Sequence, residues 1–420
     1  MYPPKRVVIF VSDMKVYGRP VAAGINFKKP KPSPHAPYVG QGDIKNKLSQ
    51  AANHHSTSQC YYRDMPLIDS SFEQAIEGGF GALLPLPTID IENRRYIGSK
   101  SKLLDWIFEH IKKECKGESF ADIFAGTGVI SARAARLYKK IILNDLLHSN
   151  YAAYQGFFAQ EPYNRQKVLD FVCYYNSLTP NDARSSFFSK SFGGKYFTTT
   201  SAKLIGHIRN DLEEHRGELN NKEYYILLTS LLYSADKIAN TVGHYDAFFG
   251  KSVADKKFSF RLIEPLIKAA SVSICREDAN ELARKMTTDV VYIDPPYNSR
   301  QYSRFYHVLE TLTLADKPKL FGVALKRPEE NMSDYCRIKA PVVFADLIDN
   351  LKAKYIVVSY NNTYNSKSSS SKNKIELADI RRILSAKGKT KVFKKDHTYF
   401  NAGKTNFDNH QEWLFITKVI

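Results

Sequence analysis

The chain has 420 residues, of which 43% are hydrophobic and 25% are charged, a balance that excludes a disordered or fibrous protein. Its 61 Lys and Arg residues outnumber 43 Asp and Glu residues, and the net charge of +18 favours a polyanionic partner such as nucleic acid. No stretch of about 18 residues is uniformly apolar, and Asp13 and Lys15 interrupt the first apolar run. We therefore predict a cytoplasmic protein without a membrane span or a secretory signal.

Residues 1–90 are predicted to form an N-terminal extension of unknown role, because this stretch is rich in Pro, Lys, Asn, Ser and His and shows little regular periodicity. A folded core is predicted to begin near Arg95, where a short turn precedes a helix with one apolar face. The residues of that face are Leu103, Leu104, Ile107, Phe108 and Ile111.

A βαβ unit is predicted next, with a strand, the glycine turn DIFAGTG at residues 122–128, an Ala-rich helix and a second strand that ends at Asp145. Small residues in such a turn let a ligand approach the backbone closely, although a tight turn without a ligand is the alternative. An acidic residue at the position of Asp145 can accept both hydroxyl hydrogens of a ribose. Together the two features indicate a cofactor that carries an adenosine.

Residues 156–271 are predicted to form a helical insert, because they carry long helical patterns, many aromatic residues and few strand signals. Strand patterns resume after it, so the α/β sheet is interrupted and completed later. The insert contains the phrase SADKIANTVGHYDAFFG, for which we derive no role. Its His244 and Asp246 are candidates for DNA contact, but a structural histidine is the more common outcome.

The motif Asp294-Pro295-Pro296-Tyr297 directly follows the apolar strand VVYI, which predicts these side chains at the carboxyl end of a strand, where open α/β sheets bind ligands. An exocyclic base amine is a poor nucleophile because its lone pair is delocalised into the ring. The Asp294 carboxylate and the Pro295 carbonyl can accept hydrogen bonds that localise this pair, and both prolines stiffen the backbone because proline fixes φ. Tyr297 is predicted to stack on a base flipped out of a duplex. A simple turn is the alternative.

From about residue 94 to residue 420, the chain resembles the D12 class of N6-adenine DNA methyltransferases, in which the AdoMet motif precedes the catalytic motif. The resemblance implies a Rossmann-like α/β methyltransferase domain in two parts, residues 91–155 and 272–420, with a helical target-recognition domain between them. The segments that carry the resemblance are RYIGSKSKLL, DIFAGTG, NDL, CREDAN, DPPYNSRQYSRFYHVLETL, SYNN and EWLFITK.

The same resemblance implies S-adenosyl-L-methionine (AdoMet) as the cofactor and no metal. Asp145 is expected at its ribose, and Asp278 with the following amide at its adenine. We expect the carboxylate of AdoMet near Lys100 and the start of the helix that follows the glycine turn. The predicted cofactor-binding residues are Tyr96, Gly98, Lys100, Asp122, Phe124, Gly126, Gly128, Asp145, Asp278 and Ala279.

The partner implied by the resemblance is double-stranded DNA, methylated at specific sites within a restriction–modification system. The resemblance also admits a separately encoded cognate restriction endonuclease. Basic residues greatly outnumber acidic ones between Leu351 and Lys404, and we predict that Lys394 and Lys395 contact phosphates. A merely solvated basic surface is the alternative.

Two other functions stay open from the sequence. The first is methylation of another planar amine, such as cytosine N4, an RNA adenine or a glutamine side chain, against which Asp at position 294 and the large insert both argue. The second is a DNA-binding regulatory module with an inactive site. A module of that kind has no chemical need for Lys100, Asp145, Asp278 and Asp294 together.

Overall fold

The computed structural model describes residues 88–250, 256–266, 271–362, 374–396 and 410–420, so most of the predicted N-terminal extension lies outside the described residues. In chain order, the helices and strands are β1 (Thr88–Ile89), α1 (Leu104–Glu114), β2 (Ser119–Asp122), α2 (Val129–Ala134), β3 (Lys140–Asn144), α3 (His148–Phe158), α4 (Arg165–Ser177), α5 (Phe187–Phe192), α6 (Thr199–Glu214), α7 (Asn221–Ile238), β4 (Leu262–Ile263), β5 (Ser271–Cys275), α8 (Ala279–Lys285), β6 (Thr287–Ile293), α9 (Tyr302–Phe305), α10 (His307–Leu314), α11 (Ala340–Asn350), β7 (Lys352–Asn361), α12 (Leu377–Lys387), β8 (Gly388–Asp396) and β9 (Gln411–Val419).

Seven of these strands form one sheet in the order β5-β3-β2-β6-β7-β9-β8. The first five strands run parallel, whereas β9 runs antiparallel to both β7 and β8. From β2 the chain continues to β3 and β5 on one side and later to β6 and β7 on the other, so the strand order reverses between β2 and β6. Ligands bind at the carboxyl ends of the strands at such a switch point. The predicted Rossmann-like α/β sheet is confirmed.

The helix predicted after the first turn is α1, and its apolar face is buried as expected. A short helical turn at residues 101–103 precedes it and buries Leu103. Helix α1 packs against β9, and the ring of His110 stacks on Phe393 of β8 with the ring centroids 4.0 Å apart. This packing brings the segment just before α1 close to the start of β9.

The insert is mainly helical, as predicted, and its helix α7 packs against α3 and α10. Helix α7 is buried over most of its length, including Lys222, whose ammonium donates to the carbonyl of Gly156 at 2.7 Å. Helix α3 crosses the predicted boundary at residue 155, and a Cβ at Gly156 would lie 2.8 Å from the carbonyl oxygen of Tyr225. Helix α10, which follows β6, also contacts α3 and α7. All described residues belong to one compact unit.

The core begins before the predicted boundary at residue 90. Thr88 and Ile89 form β1, which pairs in parallel with Leu262 and Ile263 of β4. Ile89 and Ile91 are both buried. Among the described residues, no helix is both long and apolar enough to cross a membrane.

Candidate active site

A cavity opens at the carboxyl ends of β2, β3, β5 and β6, at the switch point of the sheet. Its lining contains all the predicted catalytic residues and all the predicted cofactor-binding residues except Gly128. Those in the lining are Tyr96, Gly98, Lys100, Asp122, Phe124, Gly126, Asp145, Asp278, Ala279, Asp294, Pro295, Pro296 and Tyr297.

The glycine turn after β2 needs its glycines for two different reasons. Gly126 has φ of 53°, in the left-handed region, and a Cβ there would lie 3.2 Å from the ring of Tyr96 in the cavity. Gly128 has φ of 81°, and a Cβ there would approach Ile91, Tyr154 and Phe158. The structure therefore gives Gly128 a packing role behind the cavity, while its contact with a cofactor stays a prediction.

Asp145 fastens the end of β3 to the glycine turn. Its Oδ2 accepts a hydrogen bond from the backbone N–H of Gly126 at 3.1 Å, and its Oδ1 accepts one from Leu147 at 2.9 Å. Burial raises the pKa of Asp145 to about 6. Each carboxylate oxygen has a second lone pair, so Asp145 can still accept hydrogen bonds from ligand hydroxyls.

Asp122 supplies an unsatisfied acceptor to the cavity. Its Oδ2 accepts from the hydroxyl of Ser131 at 2.7 Å, but its buried Oδ1 has no hydrogen-bond partner among the described residues. Burial raises the pKa of this carboxyl to about 7. A buried acceptor without a donor costs free energy, so the cavity suits a ligand that brings donors, such as the ammonium and ribose hydroxyls of AdoMet.

The end of β5 is held in place by Asn144, a residue that the sequence analysis missed. Its side-chain amide donates to the carbonyls of Ile123 and Glu277, and its Oδ1 accepts from the N–H of Glu277. Asn144 thus ties together the ends of β2, β3 and β5. In the sequence, the only sign of this role was the position of Asn144 directly before Asp145.

Beyond β5, the Asp278 side chain caps α8 by accepting a hydrogen bond from the backbone N–H of Asn280.

The segment before α1 contacts the segment after the DPPY motif through aromatic rings. Tyr96 stacks on Tyr306 with centroids 4.6 Å apart and on Tyr302 at 5.3 Å. Gly98 has φ of 82°, and a Cβ there would lie 3.2 Å from the hydroxyl of Tyr302 and 3.3 Å from that of Tyr297. This close packing explains why glycine stands in the IGSK phrase.

Asp294 follows β6 and lies beside a buried lysine. The ammonium of Lys100 is 3.1 Å from Asp294 Oδ1 and 3.0 Å from Oε1 of Glu412 on β9. Burial raises the pKa of Asp294 to about 7, with Lys100 opposing that rise and Glu412 adding to it. For Lys100, burial acts to lower the pKa, but the two carboxylates outweigh it and raise the pKa well above the usual value.

This pairing adds to the role predicted for Lys100, whose position near the carboxylate of AdoMet stays a prediction. Lys100 does line the cavity, but its ammonium lies between two protein carboxylates. The sequence analysis missed Glu412. Its signal was a lone acidic residue at the start of the apolar strand EWLFITK.

Tyr297 is the last residue of the DPPY motif and lies near Lys100. Its ring is buried, meets Tyr360 edge to face at 6.0 Å and lies 5.9 Å from the Lys100 ammonium. Tyr297 also lines the cavity. Its predicted stacking on a flipped base stays a prediction.

Lys394 and Lys395 lie at the carboxyl end of β8, the edge of the sheet that also carries Asp294. Successive residues of a strand point to opposite faces, and each lysine lies over a different tryptophan. The Lys394 ammonium is 3.9 Å from the ring centre of Trp413, and that of Lys395 is 5.9 Å from Trp106. Their predicted phosphate contacts therefore lie on two faces of one sheet edge.

The phrase SADKIANTVGHYDAFFG has a structural role in the described residues. His244 stacks on Phe305 with centroids 4.6 Å apart, which joins the insert to α9. Burial lowers the pKa of His244 to about 4, so the ring is neutral near pH 7 and a poor phosphate ligand. Asp246 pairs with Lys326.

Comparison with known proteins matches residues 96–375 to the family described as D12 class N6 adenine-specific DNA methyltransferase. The chain is 33% identical to Type II methyltransferase M.CviAII of Paramecium bursaria Chlorella virus 1 over 334 residues, which cover 77% of this chain and 98% of that protein. It is 30% identical to Type II methyltransferase M.NlaIII of Neisseria lactamica over 332 residues, covering 75% and 95%. Modification methylase LlaI of Lactococcus lactis subsp. lactis is 35% identical over 299 residues, but the match spans only 46% of that protein.

Proposed function

The chain belongs to the D12 class of N6-adenine-specific DNA methyltransferases, and on that premise we propose how its residues divide the work on double-stranded DNA. It is an AdoMet-dependent enzyme that methylates adenine in DNA at specific sites within restriction–modification. In this proposal, different groups of residues bind the cofactor, the adenine and the DNA backbone.

The cofactor is assigned to the loops after β2, β3 and β5. Asp145 would accept the ribose hydroxyls, Asp122 would accept a donor through its unsatisfied Oδ1, and Asp278 would face the adenine. Gly126 would keep the backbone open to the ligand. When bound, AdoMet supplies an activated methyl group.

The adenine is assigned to the DPPY motif. The Asp294 carboxylate and the Pro295 carbonyl would accept hydrogen bonds from the exocyclic amine and localise its lone pair, and Tyr297 would stack on the base after it leaves the duplex. The observation that carries this assignment is the place of Asp294, which directly follows β6 and lines the same cavity as the glycine turn after β2. An inactive regulatory module would not require that convergence.

We propose double-stranded DNA and a separately encoded cognate restriction endonuclease as the partners. We propose a cytoplasmic location for the protein. The exposed Lys394 and Lys395 beside the catalytic edge are the proposed phosphate contacts.

The decisive experiment treats unmethylated duplex DNA with the purified protein and labelled AdoMet, and then identifies the modified nucleoside by mass spectrometry. We expect N6-methyladenine in a single sequence context. N4-methylcytosine, or label found only in RNA or protein, would overturn the assignment of the base while leaving the cofactor site in place.

A further inference from the structure

Glu412 begins the segment EWLFITK but was assigned no role in the site, and its carboxylate is deeply buried. It is the second residue of β9 and only 2% exposed. Its Oε1 accepts a hydrogen bond from the hydroxyl of Ser359 at 2.6 Å and lies 3.0 Å from the Lys100 ammonium. A carboxylate buried this deeply needs such partners, because an unpaired buried charge is costly.

Lys100 is shared almost equally between Glu412 and Asp294, at 3.0 and 3.1 Å. An ammonium group has three donors and no acceptor, so it can serve both carboxylates at once. When both carboxylates are ionised, the trio of Lys100, Asp294 and Glu412 carries one net negative charge in a buried region. That charge lies at the side of the cavity where a target amine would be held.

Sharing the lysine matters for the strength of Asp294 as an acceptor. If Lys100 were paired with Asp294 alone, a charge-assisted contact would compete with the target amine for the same carboxylate. With Glu412 on its other side, Lys100 is held in place while it draws less electron density from Asp294. The effect of Glu412 on the pKa of Asp294 has the same sign, since Glu412 acts to raise it.

On the basis of the proposed function, we propose that Glu412 is a positioning residue for methyl transfer. Acting through Lys100, it orients the Asp294 carboxylate toward the adenine amine and keeps that carboxylate a strong hydrogen-bond acceptor.

Other groups that face Asp294 do not account for the same effect. Lys100 acts in the opposite direction, because it lowers the pKa of Asp294. Three tyrosine hydroxyls stay neutral because burial raises their pKa values; they belong to Tyr292 of β6, Tyr302 of α9 and Tyr360 of β7. Asp122 at the end of β2 also has a pKa raised to about 7, chiefly by burial, and the carboxylates that add to that rise are Asp294 and Asp145. A change at Glu412 therefore acts first on Asp294.

The test compares wild-type protein with Glu412→Gln in the single-turnover rate of DNA adenine methylation as a function of pH, at saturating AdoMet and DNA. Transfer needs ionised Asp294, so the rate falls as the pH drops through its pKa. Removing the negative charge of Glu412 lowers that pKa, so we expect the acid limb to move to lower pH. We also expect the plateau rate to fall by about tenfold to a hundredfold, because the acceptor is weaker and less well placed.

The matched control is Asp396→Asn, which makes the same charge change on the neighbouring strand β8, where Asp396 is exposed and accepts from Gln411. It should leave both the plateau and the acid limb at their wild-type values. AdoMet and DNA affinities, measured by calorimetry and fluorescence anisotropy, should stay near wild type for both variants. A purely structural role for Glu412 would lower these affinities or the stability without moving the acid limb.

An acid limb of Glu412→Gln that stays in place or moves to higher pH would overturn the proposal. If Glu412→Gln does not fold, Ser359→Ala tests the same idea, since it keeps the charge but removes the donor that orients Glu412. A plateau rate reduced several-fold with AdoMet affinity retained would support the proposal, and a wild-type plateau would refute it. Absence of N6-methyladenine with the wild-type protein would instead refute the proposed function itself.

Discussion

The cavity has two halves that hold their carboxylates in different ways. In the cofactor half, formed by the loops after β2, β3 and β5, Asp145 and Asp278 accept hydrogen bonds from backbone N–H groups. In the catalytic half, formed by the end of β6 and its neighbours, Asp294 pairs with the side chain of Lys100, which Glu412 shares.

The difference teaches what each half is suited to do. Backbone donors carry no charge that can be lost, so they aim a carboxylate at a ligand, and at Asp145 they oppose the rise in pKa that burial causes. A shared buried lysine makes the acceptor strength of Asp294 depend on a second carboxylate. The first arrangement suits binding, and the second suits a reaction.

The largest expected effect separates the two halves directly. Asp294→Ala should lower the rate of methyl transfer by about a thousandfold or more, because it removes an acceptor for the target amine. AdoMet affinity should change little, since Lys100 keeps Glu412 as its partner and the variant can still fold. Turnover and calorimetric cofactor affinity measure the two quantities.

For this experiment, Asp396→Asn again serves as the control for removal of a negative charge at the same sheet edge. A loss of cofactor affinity in proportion to the loss of turnover would mean that Asp294 belongs to the cofactor half.

The opposite result is expected in the cofactor half. Asp145→Ala should weaken AdoMet binding by about tenfold to a hundredfold, since a hydrogen bond to a charged group contributes roughly 1.5–3 kcal/mol. At saturating AdoMet, the rate should recover most of its wild-type value. Thermal unfolding with and without cofactor checks that removing the hydrogen bonds to Gly126 and Leu147 has not unfolded the loop. A strongly reduced rate of methyl transfer with normal AdoMet affinity would contradict the assignment of Asp145 to cofactor binding.

The smallest effect concerns DNA rather than either half. Reversing the charges of Lys394 and Lys395 to Glu should flatten the dependence of log affinity on log salt by about 0.9 for each phosphate that is no longer neutralised. Fluorescence anisotropy across a salt series measures this slope.

The matched control for these lysines reverses Lys389 and Lys418, which pair across β8 and β9 at the opposite end of the same strands. We expect the slope of that variant to stay near wild type. Equal slopes for both double variants would show that the lysines near Asp294 contribute only their general charge.

Local features were predictable from the sequence, whereas the partners of buried charges were not. The glycine turn, Asp145, Asp278 and the DPPY motif each stand at the end of a strand, and parallel strands that end at one edge must place them together. Lys100 was also identified, but its partners Asp294 and Glu412 come from far along the chain. Nothing in the local pattern around Lys100 indicates which carboxylates it meets.

The domain boundaries at residues 90 and 155 stay predictions, and the structure shows packing across both positions. A change of composition near residue 90 and a change of periodicity near residue 155 do not report packing. β1 pairs with β4 across the first boundary, and Gly156 lets α3 approach α7 across the second. The sequence also did not indicate the packing of Gly128, where Ile91, Tyr154 and Phe158 lie close to the position of a Cβ, and its contact with the cofactor stays a prediction.

Strand β9 lies between β7 and β8 in the sheet although it follows both of them in the chain. A ribosome adds roughly 5–20 residues per second in the order of the sequence, so it has made the whole cofactor half before it reaches Glu412. Until β9 emerges, β7 and β8 have no strand to join them. During synthesis, the loops of the cofactor half are therefore complete before β9 is made. Glu412, the carboxylate proposed to position Asp294, is added only with β9. A nascent chain can therefore form its cofactor loops before it can form the complete catalytic half.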